Sequence, residues 1–578
     1  MNQNFSRRNF IKNAALATGG ILLVPNFISC SSDDDFTSGD IDFTGYTNQN
    51  FNEGVASFDP TQSQVIIWTR YTTNLPSITL IWQIATDADF TTIIRDGEVI
   101  TDSSRDFTAA VEIQNLDADL KLYYRFINTE DESTSPIGET ITLPTGNVNQ
   151  IKLGVTSCAN YAAGLFTVYN AMANSDLDII VHLGDYIYEY GENEYGTNEY
   201  TTALGRTHSP THETISLDDY RTRYKQYRSD ENLKLLHQKK PFICVWDDHE
   251  ISNDTYKDGA ENHQSDEGSF ETRKQSALQA YSEYLPAKTN DISIIYRSFQ
   301  IGDLVNLVML DTRLIGRDKQ LVITDYFDAT GSFDAATFQQ EWLDTSRTIL
   351  GTTQKNWLLN EVSGNSAEWQ VIGQQVLMGK MMVPAELLMA LTTIIAEITA
   401  TGSASATSMA SFQQQLEELV TLKLRVLAND PSLTEIELAR INTVLPYNLD
   451  AWDGYPAERE IILEAFADKK VVVLAGDTHN AWSNEVTSNS GNVTVTEFAT
   501  SSVSSPGFDT YLGSEASFVA GFQQAITILI DDLNYFDSAR RGYMEVTFSP
   551  GSATSNWIFV DTVFSETYST QTGNTVTV

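Results

Sequence analysis

The stretch Ile179-Ile180-Val181-His182-Leu183-Gly184-Asp185-Tyr186-Ile187-Tyr188-Glu189 decides how this chain reads. A short apolar run of strand character enters a Gly-Asp turn and then a cluster of phenols and acids. Three other segments repeat the plan. Lys152-Leu153-Gly154-Val155 runs into Thr156-Ser157-Cys158-Ala159-Asn160, Phe242-Ile243-Cys244-Val245-Trp246 into Asp247-Asp248-His249-Glu250, and Val471-Val472-Val473-Leu474-Ala475 into Gly476-Asp477-Thr478-His479-Asn480. Strands that alternate with helical stretches build a layered α/β domain, whose ligands sit beyond the carboxyl ends of the strands. The four segments are therefore expected to supply one site.

The residue types say what kind of site. Carboxylates, a thiol, a phenol and an imidazole in one place gather cations, because close carboxylates repel unless positive charge offsets them. Of the seven histidines, two fall inside these clusters. Neither a GxSxG nucleophile elbow nor a GxxxxGK[ST] phosphate loop stands out. Taken singly, each segment also reads as a turn, a helix cap or a solvated face. The shared context and order favour one site.

Charge limits the partners. In 578 residues, 36 basic and 77 acidic side chains leave a net charge of -41 and a pI near 4.3, which repels polyanions and excludes nucleic-acid binding through a basic face. Residues 1–29 read as an address: Ser6-Arg7-Arg8-Asn9-Phe10-Ile11-Lys12 precedes the mostly apolar Ala14–Val24, too short to span a bilayer. The paired arginines resemble a bacterial twin-arginine export signal, and Phe27-Ile28-Ser29-Cys30 resembles a lipoprotein box with Cys30 as the lipidated residue. Loss of Arg7, Arg8 and Lys12 with that segment takes the charge from -41 to about -44. Residues 30–47, with Asp33-Asp34-Asp35, read as an acidic tether. A periplasmic or cell-surface lipoprotein is expected, held to a membrane only through Cys30, and monomeric. Cys158 and Cys244 either pair with each other or serve as a ligand and a buried apolar thiol.

Residues 48–146 read as all β: Gln64–Thr69, Ile78–Gln83 and Lys121–Phe126 are β-branched and aromatic runs between turn residues, suited to a small immunoglobulin-like sandwich. The α/β domain then occupies 147–578. Within it, Ser216-Leu217-Asp218-Asp219 predicts a capped helix start, a second helix ends before Pro286, and 384–443 reads as a helical insertion with a hinge at TGSASATS. Its stripe of Leu387, Leu388, Leu391 and Ile394 is expected to be core.

The ordered set TSCANY, GDYIYEY, WDDHEISND and GDTHNAW resembles the PhoD-type alkaline phosphatases, a branch of the calcineurin-like metallophosphoesterases related to purple acid phosphatases. DYRTRYKQYR, LDTR (Leu310–Arg313), WDGY (Trp452–Tyr455) and SVSSPG (Ser502–Gly507) extend the likeness, and GVASFDP and VIIWTR resemble that family's N-terminal domain. The resemblance implies a two-sheet sandwich flanked by helices, and hydrolysis of phosphate monoesters or diesters by metal-activated water. It also implies Fe³⁺ on Cys158, Asp185, Tyr188 and His479. Asp248, Asp477 and either Asn253 or Asp247 would suit Ca²⁺; alignment on His249 favours Asp248 over Asp247. His249 is the candidate general acid, and Asn160 either orients phosphate or is a turn residue. Asp311 and Arg313 read as positional. A phospholipase D-like phosphodiesterase and a non-catalytic calcium- or glycan-binding surface lipoprotein are the rival readings.

Overall fold

The computed structural model describes residues 43–328, 332–513 and 515–578. The export segment, Cys30 and most of the acidic tether lie outside them.

Two sheets stack face to face. The first runs in spatial order through Thr570–Thr577, Ser552–Val560, Gly542–Ser549, Ile151–Thr156, Ile179–His182, Phe242–Cys244, Val55–Phe58, Val65–Arg70 and Thr108–Ile113. The second runs through Arg297–Ile301, Val305–Met309, Trp369–Gly373, Lys470–Ala475, Thr494–Ala499, Ala481–Thr487 and Leu533–Asp537. Ile151–Thr156, Ile179–His182 and Phe242–Cys244 are mutually parallel, as are Val305–Met309, Trp369–Gly373, Lys470–Ala475 and Thr494–Ala499. Parallel strands end on the same edge, so the four polar segments of the sequence emerge together.

The uninterrupted apolar runs follow from burial on both faces. Along Lys470–Ala475, Val472 and Leu474 join the core between the sheets with Leu153 and Val155, while Val471, Val473 and Ala475 join an outer core with Leu358, Ile462 and Leu463 of covering helices. On the first sheet the helix Leu217–Arg228 starts at a Ser216 capping box closed by Asp219, and Phe270–Tyr284 stops two residues before Pro286.

The N-terminal strands do not stand apart. Val55–Phe58 pairs in parallel with Phe242–Cys244 through Phe58 and Phe242, so one sheet of the N-terminal sandwich is the far end of the site-bearing sheet. Its partner sheet, built on Ser77–Ala85, Ile93–Asp102 and Lys121–Asn128, closes a core of Val65, Ile67, Leu80, Trp82 and Tyr124.

The insertion holds the helices Ala385–Thr401, Ala406–Leu427 and Glu435–Asn442, and a ribbon of Met382–Pro384 against Val444–Pro446 clamps its base. Leu387, Leu388, Leu391 and Ile394 pack on Phe412, Leu416 and Phe522, as the stripe predicts. Among the described residues, no helix is long and apolar enough to cross a membrane. Cys158 and Cys244 are both buried and free, which removes the disulfide alternative.

Candidate functional site

The turns after the strands are built so that short side chains converge. Cys158, Asp185, Asp477 and His479 all stand in the left-handed region, with φ of 60°, 54°, 64° and 62°. That conformation costs a non-glycine residue roughly 1 kcal/mol and persists only where the surroundings fix it. Gly184, with φ 108°, admits the neighbouring segment: a Cβ there would lie 2.3 Å from Asp247 Cβ. The Glu250 carboxylate ties the two segments together by accepting the backbone N–H groups of Asp185 at 3.1 Å, Tyr186 at 2.5 Å and Asp247 at 2.7 Å.

Three overlapping groupings result, each with donor atoms within 4.8 Å of one another: Cys158, Asp185 and His479; Asp185, Asp248 and His249; Asp247, Asp248 and Asp477. Tyr188 completes the first, its hydroxyl donating to Asp185 Oδ2 at 2.9 Å and lying 3.1 Å from His479 Nε2. His479 Nδ1 faces the Pro506 carbonyl at 2.9 Å, so an Nδ1–H donated there leaves Nε2 as the ring's lone-pair donor toward the cluster. Ser505 Oγ lies 2.7 Å from the Tyr188 hydroxyl, which gives the SVSSPG segment its place. Arg223, from DYRTRYKQYR, fixes the same loop by donating to the carbonyls of Tyr188 and Tyr190.

Electrostatics leave this site short of positive charge. Burial, reinforced by Asp185, pushes the Cys158 thiol and the Tyr188 phenol well above their ordinary ranges. Burial also raises Asp247 and Asp477, although Arg313 opposes it. The Oδ1 of Asp185 and the Oδ2 of Asp247 are buried without any hydrogen-bond partner, a costly state for a carboxylate oxygen. A cation removes both problems. The residues therefore fit metal: thiol, phenol, imidazole and carboxylate suit a strongly acidifying ion, and an all-carboxylate grouping suits a hard divalent one.

His249 differs from its neighbours. Burial disfavours its charge, yet Asp248, Glu189 and Asp185 outweigh that and hold the imidazole pKa well above its ordinary value. Its Nδ1 meets Glu189 Oε2 at 2.7 Å, and Glu189 Oε1 accepts from the Asn253 N–H at 2.7 Å and Asn262 Nδ2 at 2.9 Å. Tyr188 and Tyr190 pack at 4.2 Å and 5.5 Å from the ring centroid, a π-rich wall suited to an imidazolium.

Of the residues singled out in the sequence, Cys158, Asp185, Tyr188, Asp247, Asp248, His249, Asp477 and His479 come together, and both Asp247 and Asp248 belong to the centre. Asn160 is engaged elsewhere: its Oδ1 caps the short helix Tyr161–Ala163 through the Ala162 N–H at 3.0 Å. Asn253 turns its amide to Glu261 at 3.2 Å and contributes its backbone to Glu189. The sequence reading leaves Glu189 and Glu250 without roles. The legible sign was an acid set among apolar and aromatic residues where the chain buries it; both are 1% exposed or less.

Sheets that bring buried carboxylates, a thiol, a phenol and imidazoles together at their strand ends form a centre suited to metal-assisted hydrolysis. Residues 153–557 match the PhoD-like phosphatase family and residues 40–144 its N-terminal domain. The chain is 31% identical over 504 residues to alkaline phosphatase D of Bacillus subtilis (strain 168), covering 84% of this chain and 73% of that protein. A solved structure titled "Structure of PhoD" superposes with a TM-score of 0.69 at 28% identity, covering 93% of this chain and 91% of the other. The chain belongs to the PhoD-like phosphatase family, and it is an enzyme acting on phosphoric ester bonds, which sets aside the non-catalytic binder.

Proposed function

We propose that the chain is an exported, metal-dependent phosphatase that hydrolyses small phosphate monoesters and diesters at the centre shared by Asp185. The observation that carries this reading is the buried, unpartnered Asp185 Oδ1 where two donor groupings meet. Cys158, Asp185, Tyr188 and His479 would hold Fe³⁺; Asp185, Asp247, Asp248 and Asp477 would hold Ca²⁺. Bound there, the cations supply Lewis acidity that lowers the pKa of the attacking water and offsets charge on the phosphoryl oxygens.

The protein's own groups do the rest. Glu189 holds His249 by Nδ1, so the charged ring carries its transferable proton on Nε2. As the water oxygen bonds to phosphorus and the bond to the alcohol oxygen breaks, Nε2 gives that proton to the leaving alkoxide. Glu250 and the left-handed turns keep Asp185 and Asp247 in position through that exchange. Export rests on Arg7-Arg8 and Cys30, and Cys30→Ala should release the chain from membranes into the soluble exported fraction. The acidic surface supports a small ester as substrate and a monomer as the working form.

Chromogenic phosphate monoesters and diesters, assayed beside metal analysis of the purified chain, test the reading. Iron and calcium with hydrolysis that a chelator abolishes support it. Full activity in a chain free of both metals overturns it.

A further inference from the structure

The wall of the metal centre continues into a second cavity. Tyr195 stands at the join: its hydroxyl lies 3.0 Å from His479 Nδ1, and its ring packs 6.0 Å from Tyr188 and 6.4 Å from His249, within 7° of parallel to the imidazole. With Pro506, whose carbonyl faces the same His479 nitrogen, Tyr195 also lines a cavity of about 470 Å³ that reaches the segment 560–564 at the end of Ser552–Val560. Arg540 and Arg541 line it against Asp509 and Asp561, two charges of each sign, and Asp537 stands behind Arg540 at 2.6 Å. An anionic ester therefore meets far less repulsion here than over the surface of a chain of net charge -41. Arg541 uses Nη1 for Asp509 Oδ1 at 3.2 Å and for the Ala539 carbonyl, while its Nε is buried with no hydrogen-bond partner, so the guanidinium is only partly engaged.

The rim is aromatic. Phe564 lines the cavity and stacks on Tyr200, with ring centroids 4.4 Å apart at 27°. Phe564 is 40% exposed and Tyr200 43%, and among the described residues no other Phe, Tyr or Trp is recorded as exposed. Exposed apolar side chains are ordinarily scattered singly. Here the two exposed rings stand together, at the entrance of a cavity that ends at the catalytic centre, and so form a platform for a flat ring.

We propose that this cavity is the subsite for the alcohol group of the ester, and that it selects an alcohol carrying a flat heteroaromatic ring, a nucleoside, whose ring lies on Phe564 while its phosphate sits at the metal centre. This inference rests on the small-ester reading above and names its substrate class. A nucleobase offers a π face to the platform and acceptor atoms on its edge to the donors of Arg541. Glycerol and a bare sugar phosphate carry no such ring. The overall charge still excludes extended nucleic acid, so the guest is a single nucleotide.

Two esters that differ only in the ring isolate the platform: adenosine monophosphate and ribose phosphate, esterified at the same primary carbon. The full-length purified chain with its metals is assayed for phosphate release, and kcat/KM for the two esters is compared on one preparation, so that metal content cancels from the ratio. The nucleotide is expected to be favoured by at least about tenfold, the difference lying in KM. Phe564→Ala should bring the ratio to within about twofold of unity, and Phe564→Trp, which keeps a ring, should retain the preference. Tyr200→Ala removes the second ring and should lower the ratio by at least about threefold, which keeps the test open if Phe564→Ala does not fold. A wild-type chain that hydrolyses the two esters with equal kcat/KM, or a folded Phe564→Ala that keeps the preference, overturns the inference and leaves the small-ester reading standing. A metal-loaded chain that hydrolyses neither ester overturns that reading, and this inference with it.

Discussion

His249 and Glu189 form a buried pair, Nδ1 to Oε2 at 2.7 Å, in which the carboxylate is fully enclosed and the imidazole is 6% exposed. The pair comes from two of the four strand-end segments, so its geometry depends on the whole sandwich. Glu189→Gln keeps the shape and removes the charge that holds the ring's proton. We expect kcat about 10²-fold lower, with KM changed by no more than about twofold, because the glutamate acts through His249 rather than on substrate. Steady-state kinetics on a chromogenic ester check this; an unchanged kcat would remove His249 from its role as acid.

The two cysteines should behave oppositely. Cys158→Ala removes a donor from the grouping with Asp185 and His479 and should cost more than about 10²-fold in activity together with loss of bound iron. Cys244, a free thiol in a buried strand, should tolerate alanine with normal turnover and a stability loss of about 1 kcal/mol. Metal content and denaturant unfolding of the two variants decide the matter.

Gly184→Ala tests the packing that brings Asp185 and Asp247 together. The added Cβ would meet Asp247 Cβ at 2.3 Å and its backbone nitrogen at 2.5 Å, at a φ of 108°. A loss of at least about 2 kcal/mol is expected from overpacking and backbone strain combined. Wild-type stability in this variant would show that the turn can open without cost.

Acid should unfold the protein through buried histidines outside the donor groupings. Burial holds His182 down to about 3; burial with Arg223 and Arg206 does the same for His208; burial with Arg228 and His182 keeps His237 well below its usual range. Their folded pKa values lie below the unfolded value of about 6.5, so they cost nothing above it. As pH falls below that value the unfolded chain takes up protons that the native chain refuses, and stability drops by about 1.4 kcal/mol per pH unit for each histidine. His208, whose ring nitrogens have no hydrogen-bond partner, is the cleanest probe. His208→Phe should reduce the slope of unfolding free energy against pH by one proton's worth, and an unchanged slope would contradict the assignment.

The strand-end clusters were legible because burial on both faces writes continuous apolar runs, and a polar break at each end then marks the edge where the loops meet. Val471–Ala475 into Gly476-Asp477-Thr478-His479 shows this, as does the Ser216 cap that begins Leu217–Arg228. The shared sheet was not legible. Val55–Phe58 carries the same alternation whether its neighbour is a sandwich strand or Phe242–Cys244, so the Phe58–Phe242 pairing leaves no mark in composition. Glu189 was hidden for a related reason: a charged residue looks solvated until the partner that neutralises it, 60 positions away, is placed beside it.

The central claim is that one shared carboxylate, Asp185, joins the two donor groupings into a working centre. Asp185→Asn, nearly isosteric, measures it most directly when iron, calcium and ester hydrolysis are followed on the same preparation. The expected result is loss of both metals to below about a tenth of wild type, and hydrolysis lower by about 10³-fold, in a chain that still melts cooperatively. A folded Asp185→Asn chain that keeps both metals and its hydrolytic rate would contradict the account.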